Sequence, residues 1–255
     1  MSKQAVELTG IPETLFIPLY GRAVETRKPR PLIVDRRAVE MVDAIDYDFS
    51  KFDGARSLFG SVVRTAIFDQ WVREFLARYP GGTVVEGGCG LNTRFERLDN
   101  GALRWFDLDV PEAIELRRRF FVDGPRQTMI AASVLDESWV DSVAATGGPW
   151  FFAIEAVLPY LRPEDVKAAL ALIARNFPGA CIAFDTTGSY MVDNLAKHDV
   201  MRFMNAAFLW KCDDPKDVER WDIGVEVVQT RTLADTQPAV RTRLPFVYRR
   251  LGPLL

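Results

Sequence analysis

The stretch TVVEGGCGLN, Thr83 to Asn92, decides how the rest of this chain reads. Thr83, Val84 and Val85 make a short strand that ends on Glu86, and the strand runs straight into Gly87-Gly88-Cys89-Gly90. Small residues at that point permit tight turning and let the backbone approach a ligand closely. A strand opening onto such a loop is the first half of a nucleotide-binding unit, provided that strands and helices alternate on either side of it.

Upstream, Val63, Ile67, Trp71 and Phe75 recur every four residues, with Val62, Ala66, Val72 and Leu76 beside them. This spacing predicts a core-facing helix from Ser61 to Tyr79, stopped by Pro80-Gly81-Gly82. Residues 1–60 carry short apolar patches broken by prolines and charges and read as an N-terminal helical extension. Downstream, Arg104 to Asp109 reads as a strand ending in an acidic pair, and Pro111 opens a helix that runs through Phe121. Further strands are expected at Gln127 to Ala132, at Trp150 to Val157 and at Ala180 to Asp185. Between the last two, Val166, Ala169, Leu170, Ile173 and Phe177 mark the buried stripe of a helix begun by Pro163. Gly224 to Thr232 and Arg241 to Tyr248 look like two closing strands. Counted together, this predicts an α/β fold, a mostly parallel seven-stranded sheet flanked by helices, with its ligand crevice beyond the carboxyl ends of the strands.

Composition narrows the function classes. The chain has 255 residues, which suits one elaborated α/β domain over residues 1–255. Lysine and arginine total 32 against 35 acidic residues, so the net charge of -3 carries no footprint for nucleic acid or an anionic membrane. The run Arg117-Arg118-Arg119 reads as a solvated helix face. Cys89, Cys181 and Cys212 have no CxxC spacing, so neither a metal site nor a disulfide framework is indicated, and a cytoplasmic location is expected. Oligomeric state is left open.

Five features fall where a nucleoside ligand needs them: the Glu86 to Gly90 loop, the pair Asp107 and Asp109, Ser133 to Asp136, Glu155, and Arg64. A carboxylate at the end of the second strand can accept both ribose hydroxyls. The loop lacks the GxGxxG spacing that seats a dinucleotide pyrophosphate, which favours S-adenosylmethionine over NAD. Glu155 interrupts an apolar run and requires a partner, because a buried unpaired carboxylate costs several kcal/mol on the order-of-magnitude scale.

The blocks VVRTAIFDQWVREFL (62–76), VVEGGCGLNTRFERL (84–98), RWFDLDVPE (104–112) and FFAIEAVLPYL (151–161) resemble those of the leucine carboxyl methyltransferase and TcmP-like family. The resemblance spans roughly residues 10 to 250 and implies a Rossmann-like class I methyltransferase. It further implies that Arg64 pairs with the methionine carboxylate of the cofactor and that Gly88 and its neighbours, Glu86, Gly87 and Gly90, pass under that part. Asp109 binds the ribose, with Asp107 as the alternative. Ser133 and Val134 lie beside the adenine, Glu155 contacts the amino acid end, and Arg22 adds a second positive contact. Gly87 departs from the family, where a larger apolar residue usually precedes the GxG, a change expected to loosen the grip on the cofactor.

Methyl transfer from a sulfonium is an in-line displacement that needs alignment and exclusion of water, with no covalent enzyme intermediate. The acceptor is expected to be a small molecule. A carboxylate is already ionised at neutral pH and needs no general base, which suits a chain with one histidine. Arg202 is the candidate to bind such a carboxylate, and Tyr160 to line its pocket. A phenol would call on His198 or Tyr190 as base. Residues 186–215, rich in methionine and aromatics, are expected to form the lid that shapes the acceptor pocket. Two other classes stay open: a dinucleotide-dependent oxidoreductase and a cofactor-binding protein without turnover.

Overall fold

The structure, a computed structural model, describes residues 4–5 and 10–235. In chain order these form β1 (Gln4–Ala5), α1 (Phe16–Thr26), α2 (Arg36–Ala44), β2 (Ile45–Asp46), α3 (Ser57–Arg78), β3 (Thr83–Gly87), α4 (Arg94–Leu98) and β4 (Arg104–Asp109). Then come α5 (Pro111–Arg117), β5 (Gln127–Ala131), α6 (Val140–Ala144), β6 (Trp150–Ile154), α7 (Pro163–Asn176), β7 (Cys181–Phe184) and α8 (Ser189–Asp193). Strands β3 to β7 build a five-stranded sheet in the order β5-β4-β3-β6-β7, and every pairing in it is parallel. The chain steps outward from β3 to β4 and β5, then crosses back to β6 on the other side of β3. That reversal opens a crevice above the carboxyl end of β3, which is where a ligand enters such sheets.

Alternation along each strand divides the interior. Val85, Leu108, Phe152 and Ile154 point to one face, where α7 lays down Val166, Leu170 and Ile173, with Phe177 at its C-cap. Val84, Trp105, Phe151 and Ala153 point to the other, against Phe68, Val72, Phe75 and Leu76 of α3. Each such side chain stabilises the fold by about 1.5–3 kcal/mol when fully buried. Within α3 the stripe Val63, Ile67 and Trp71 packs away from the sheet, on Leu32, Phe59 and Leu233, so the helix is apolar on two sides. Of the predicted residues Val72, Phe75 and Leu76 face the sheet, joined by Phe68.

A third cluster joins the N-terminal helices, through Phe16, Leu19, Met41 and Phe52, to Tyr160 and to Val200, Met201 and Met204. The N-terminal extension thus closes over the ligand end of the sheet. No helix among the described residues is long and apolar enough to cross a membrane.

The helix expected from Pro111 through Phe121 ends at Arg117, and two further expectations change. The strand expected at Trp150 to Val157 stops at Ile154, because Glu155 turns to its ion partners and Ala156 adopts a positive φ of 59°. Gly224 to Thr232 forms no strand. Its backbone has no ladder partner among the described residues, and it lies instead along α3, with Trp71 Nε1 donating to Gln229 Oε1 at 2.9 Å and Arg231 to Gln70 Oε1 at 2.9 Å. The expected strand from Arg241 to Tyr248 lies outside the described residues, so the sheet as described holds five of the seven strands.

Candidate functional site

The loop after β3 is built to be thin and to stay in place. Gly88 has φ 69°, and a Cβ there would stand 2.0 Å from Val157 Cγ2, so only glycine fits. Gly90, at φ 45°, would press a Cβ onto Leu15. The amides of Gly88 and Cys89 both donate to the Leu108 carbonyl, tying the loop to the end of β4. Two buried arginines then hold its carbonyls: Arg117 donates to Gly90 O at 3.0 Å and Asn92 O at 2.7 Å, and Arg22 to Leu91 O at 2.8 Å.

The two aspartates of β4 share a face of the sheet, being two residues apart, and separate by depth: Asp107 lies within the strand and Asp109 at its end. Asp107 is buried and surrounded by donors: Trp105 Nε1 at 3.0 Å, Gln127 Nε2 at 2.7 Å and Arg117 at 3.0 Å. Asp109 lines the cleft. Its two oxygens each accept one amide, from Gly90 at 2.7 Å and from Val110 at 2.8 Å, which leaves lone pairs for two further donors. Burial raises its pKa, against the two amide hydrogen bonds.

Beneath the loop runs a buried ionic network. Arg94, wholly buried, donates to Asp69 at 2.8 Å and contacts both Glu86 and Glu155. Arg97 reaches Asp69 at 2.9 Å and Asp35 at 3.5 Å, and Asp35 takes Arg22 at 2.8 Å. One guanidinium facing three carboxylates cannot neutralise all of them. Glu86 is the group that gives way: burial pushes its pKa up to about 7, and its Oε2 has no partner. Glu155 stays ionised. Burial works to raise its pKa, but Arg94 and Arg64 outweigh that and hold it low. Arg64 donates to Glu155 Oε1 at 3.0 Å and lies 3.4 Å from Asp185 Oδ2, and Thr65 Oγ1 adds a bond to Glu155 at 2.8 Å.

The cleft over this floor has a volume of about 2120 Å³. Among the residues singled out from sequence, Arg22, Arg64, Gly88, Gly90, Asp109, Ser133, Val134, Glu155, Tyr160, Tyr190 and His198 line it, Tyr190 from an exposed position at its rim. Glu86, Gly87 and Asp107 do not; they form the layer beneath. Gly87 is packed against Val134 and Ile154, leaving no room for a larger residue without displacing them. Arg22 lines the cleft and also donates to Asp35 and the Leu91 carbonyl, so it holds the loop as well.

At the acceptor end, Tyr160 is buried, with its ring against Phe208 at 4.9 Å and its hydroxyl 3.9 Å from Met201 Sδ. His198 Nδ1 accepts the amides of Val200 at 3.3 Å and Met201 at 3.1 Å. Arg202, expected to bind an acceptor carboxylate, is exposed, lies over the Phe203 ring at 4.7 Å and is absent from the cleft wall.

Sequence reasoning missed Arg94, Arg117 and Asp185. Arg117 is the sharpest correction, since it belongs to a run expected to be solvated and is instead fully buried between Asp107 and the loop. A signal existed: two buried carboxylates at strand ends, Asp107 and Glu155, each require a cation from somewhere in the chain.

The geometry agrees with the comparisons to known proteins. A model of the family described as leucine carboxyl methyltransferase matches residues 16–174. The tetracenomycin polyketide synthesis O-methyltransferase TcmP of Streptomyces glaucescens is 33% identical over 243 residues, covering 92% of this chain and 90% of that protein. The S-adenosyl-L-methionine-dependent methyltransferase dpfgK of Gibberella zeae is 32% identical over 243 residues, covering 86% and 81%. A solved structure of a methyltransferase from Thermobifida fusca superposes with a TM-score of 0.54 at 16% identity, over 87% of this chain and 86% of that one, and shares the fold. With a loop that admits only glycine over a buried ionic floor, and with relatives aligned over nearly its whole length, the chain belongs to the leucine carboxyl methyltransferase family and is an S-adenosylmethionine-dependent O-methyltransferase.

Proposed function

We propose that the acceptor is a carboxylate of a small, polyketide-like acid, and that the product is its methyl ester. The observation that carries this is the state of the one histidine. With Nδ1 accepting two backbone amides, the ring proton sits on Nε2, so neither nitrogen has a lone pair free for a substrate proton. Burial also lowers the His198 pKa, keeping the ring neutral. A carboxylate nucleophile needs no base. The polyketide-like class is drawn from the named pathway of TcmP and from the apolar, aromatic wall that Tyr160, Met201 and Phe208 give the acceptor end.

In the same reading Arg64 meets the methionine carboxylate, the Gly88–Gly90 backbone passes under the methionine chain, Asp109 accepts the ribose hydroxyls, and Ser133 and Val134 flank the adenine. S-adenosylmethionine, when bound, supplies an electrophilic methyl group on a sulfonium. The chain contributes alignment and dryness: the loop fixes the donor, and residues 186–215 act as a lid that shapes the acceptor pocket and excludes water. Residues 1–255 act as a single domain, in a cytoplasm that keeps Cys89, Cys181 and Cys212 as free thiols.

Product chemistry tests the acceptor. A methyl ester is cleaved by mild alkali and an aryl methyl ether is not, so the labelled methyl group is expected to be released as methanol. An alkali-stable product, or loss of turnover in His198→Ala with cofactor binding intact, overturns the carboxylate reading.

A further inference from the structure

The acceptor end of the cleft carries polar groups that methyl transfer itself does not use. Arg56, Lys197 and His198 line it, gathered around Asp199. Asp199 Oδ2 accepts the amides of Arg56 at 2.6 Å and Ser57 at 3.3 Å, and its Oδ1 lies 3.6 Å from His198 Nδ1. The carboxylate is thus engaged by backbone, and the Arg56 guanidinium makes no ion pair with it or with any other group among the described residues. Lys197 Nζ donates to the neutral Asn194 Oδ1 at 2.9 Å. Two cations therefore stand here beside one carboxylate.

His198 is held in one orientation. Nδ1 accepts the Val200 and Met201 amides at 3.3 and 3.1 Å, which fixes the ring and puts its proton on Nε2. That N–H has no partner among the described residues, and the side chain keeps 15% exposure where it lines the cleft. It is a fixed donor for whatever enters. Arg56 precedes Arg64 by eight residues of α3, about 12 Å along the helix axis, so the cluster stands clear of the corner where Arg64 meets Glu155. Tyr160, Met201 and Phe208 supply apolar surface at the same end. An acceptor whose far end is apolar would strip water from the His198 N–H and leave it unpaired, which is how a polar site rejects an analogue lacking the matching group.

We infer that His198 Nε2–H and the Arg56 guanidinium bind a second oxygen of the acceptor, a hydroxyl or carboxylate at the end of an aromatic skeleton remote from the carboxylate that is methylated. The inference rests on the carboxylate reading of the acceptor. His198 then sets specificity and takes no proton, and the substrate class narrows from aromatic acids to hydroxylated or dicarboxylic ones.

The test compares 2-naphthoate, 6-hydroxy-2-naphthoate and 2,6-naphthalenedicarboxylate as acceptors, with ester scored by methanol released in mild alkali. The two acids with a second oxygen are expected to exceed 2-naphthoate in kcat/KM by about ten- to a hundred-fold, mainly through KM. His198→Asn keeps an oxygen for the Val200 and Met201 amides and loses the Nε2–H donor; Arg56→Met keeps the length of the side chain and loses its charge. Each is expected to bring the oxygenated acids down toward 2-naphthoate by raising their KM, with S-adenosylhomocysteine affinity retained as the check on folding. No preference in the unaltered protein overturns the inference. So does an equal fall for all three acids in His198→Asn, which would make the histidine a purely structural residue. An alkali-stable product from 6-hydroxy-2-naphthoate, or no ester from any of the three, removes the carboxylate reading and this inference with it.

Discussion

The floor of the cleft and the segment that covers its acceptor end are held by opposite means. Under the Glu86 to Asn92 loop, Arg22, Arg94 and Arg117 are each at most 2% exposed, and each reaches across from another element to bind a carboxylate. The cover, from α8 through Trp221, is made of short 3-10 turns and one five-residue helix. Its tie to α3 is Asp199, whose Oδ2 accepts the amides of Arg56 at 2.6 Å and Ser57 at 3.3 Å at a helix start that lacks a cap of its own. Many desolvated contacts fix the floor in one conformation. The cover has that cap, worth about 1 kcal/mol, together with the buried Val200, Met201 and Met204, and no ion pair as deeply buried as those of the floor among the described residues.

The largest expected effect is on the floor. Arg94→Met leaves Asp69, Glu86 and Glu155 buried without their common cation, and breaking such a pair costs about 3–5 kcal/mol. A denaturant midpoint that falls by the corresponding amount is expected; a loss below about 1 kcal/mol would show the network to be weakly held, and the contrast with the cover would collapse.

The next effect depends on pH. The Glu86 pKa is about 7 in the folded chain against a reference value of 4.5. Between those values the folded state keeps a proton that the unfolded state has lost, so this contribution to stability is full below about pH 4.5 and is lost as pH rises through 7. The total is on the order of 3 kcal/mol. Glu86→Gln cannot ionise, and its unfolding free energy is expected to lack this decline between pH 5 and 8. Equal slopes for the two proteins would place an ionised Glu86 in the floor.

The smallest effect on stability comes from the cover. Asp199→Ala removes the cap from α3 and is expected to cost only about 1 kcal/mol. Its mark is kinetic: KM for the acceptor rises while the affinity for S-adenosylhomocysteine is unchanged. Asp199→Asn, which can still accept both amides, is expected to restore most of the loss. If cofactor affinity falls with the cap, floor and cover are one unit, and the distinction fails.

Much of the fold was legible in advance. Four core strands, β3, β4, β5 and β6, begin where apolar runs and turn residues predict, and the stripe from Val166 in α7 to Phe177 at its C-cap faces the sheet as its period requires. The site was legible where a residue type leaves little choice. Gly88 has no substitute at its φ, and Asp109 ends a strand beside the glycine loop. Arg202 was misjudged because an arginine in an amphipathic segment carries no sign of which way it turns, and Arg117 because a run of three arginines conceals that one faces inward. Gly224 to Thr232 has the apolar alternation of a strand, but pairing depends on an available edge, which lies outside the segment itself.

By itself the sequence determined the local alternation of strand and helix, the glycine loop, the presence of carboxylates at strand ends and, through its blocks, the family. These follow from short-range sterics and periodicity, which act among residues close in the chain. Only the tertiary structure decided which carboxylate faces the ligand and which is spent inside. Asp107 and Asp109 are two residues apart and chemically identical, yet Arg117, Gln127 and Trp105 surround the first and the cleft opens beside the second. The same holds for Asp185 and Arg64, 121 residues apart in the chain and brought to 3.4 Å by the packing of α3 against β6 and β7. Burial and charge pairing are properties of the assembled interior, because the cost of desolvating an ion depends on every atom around it rather than on its neighbours in sequence.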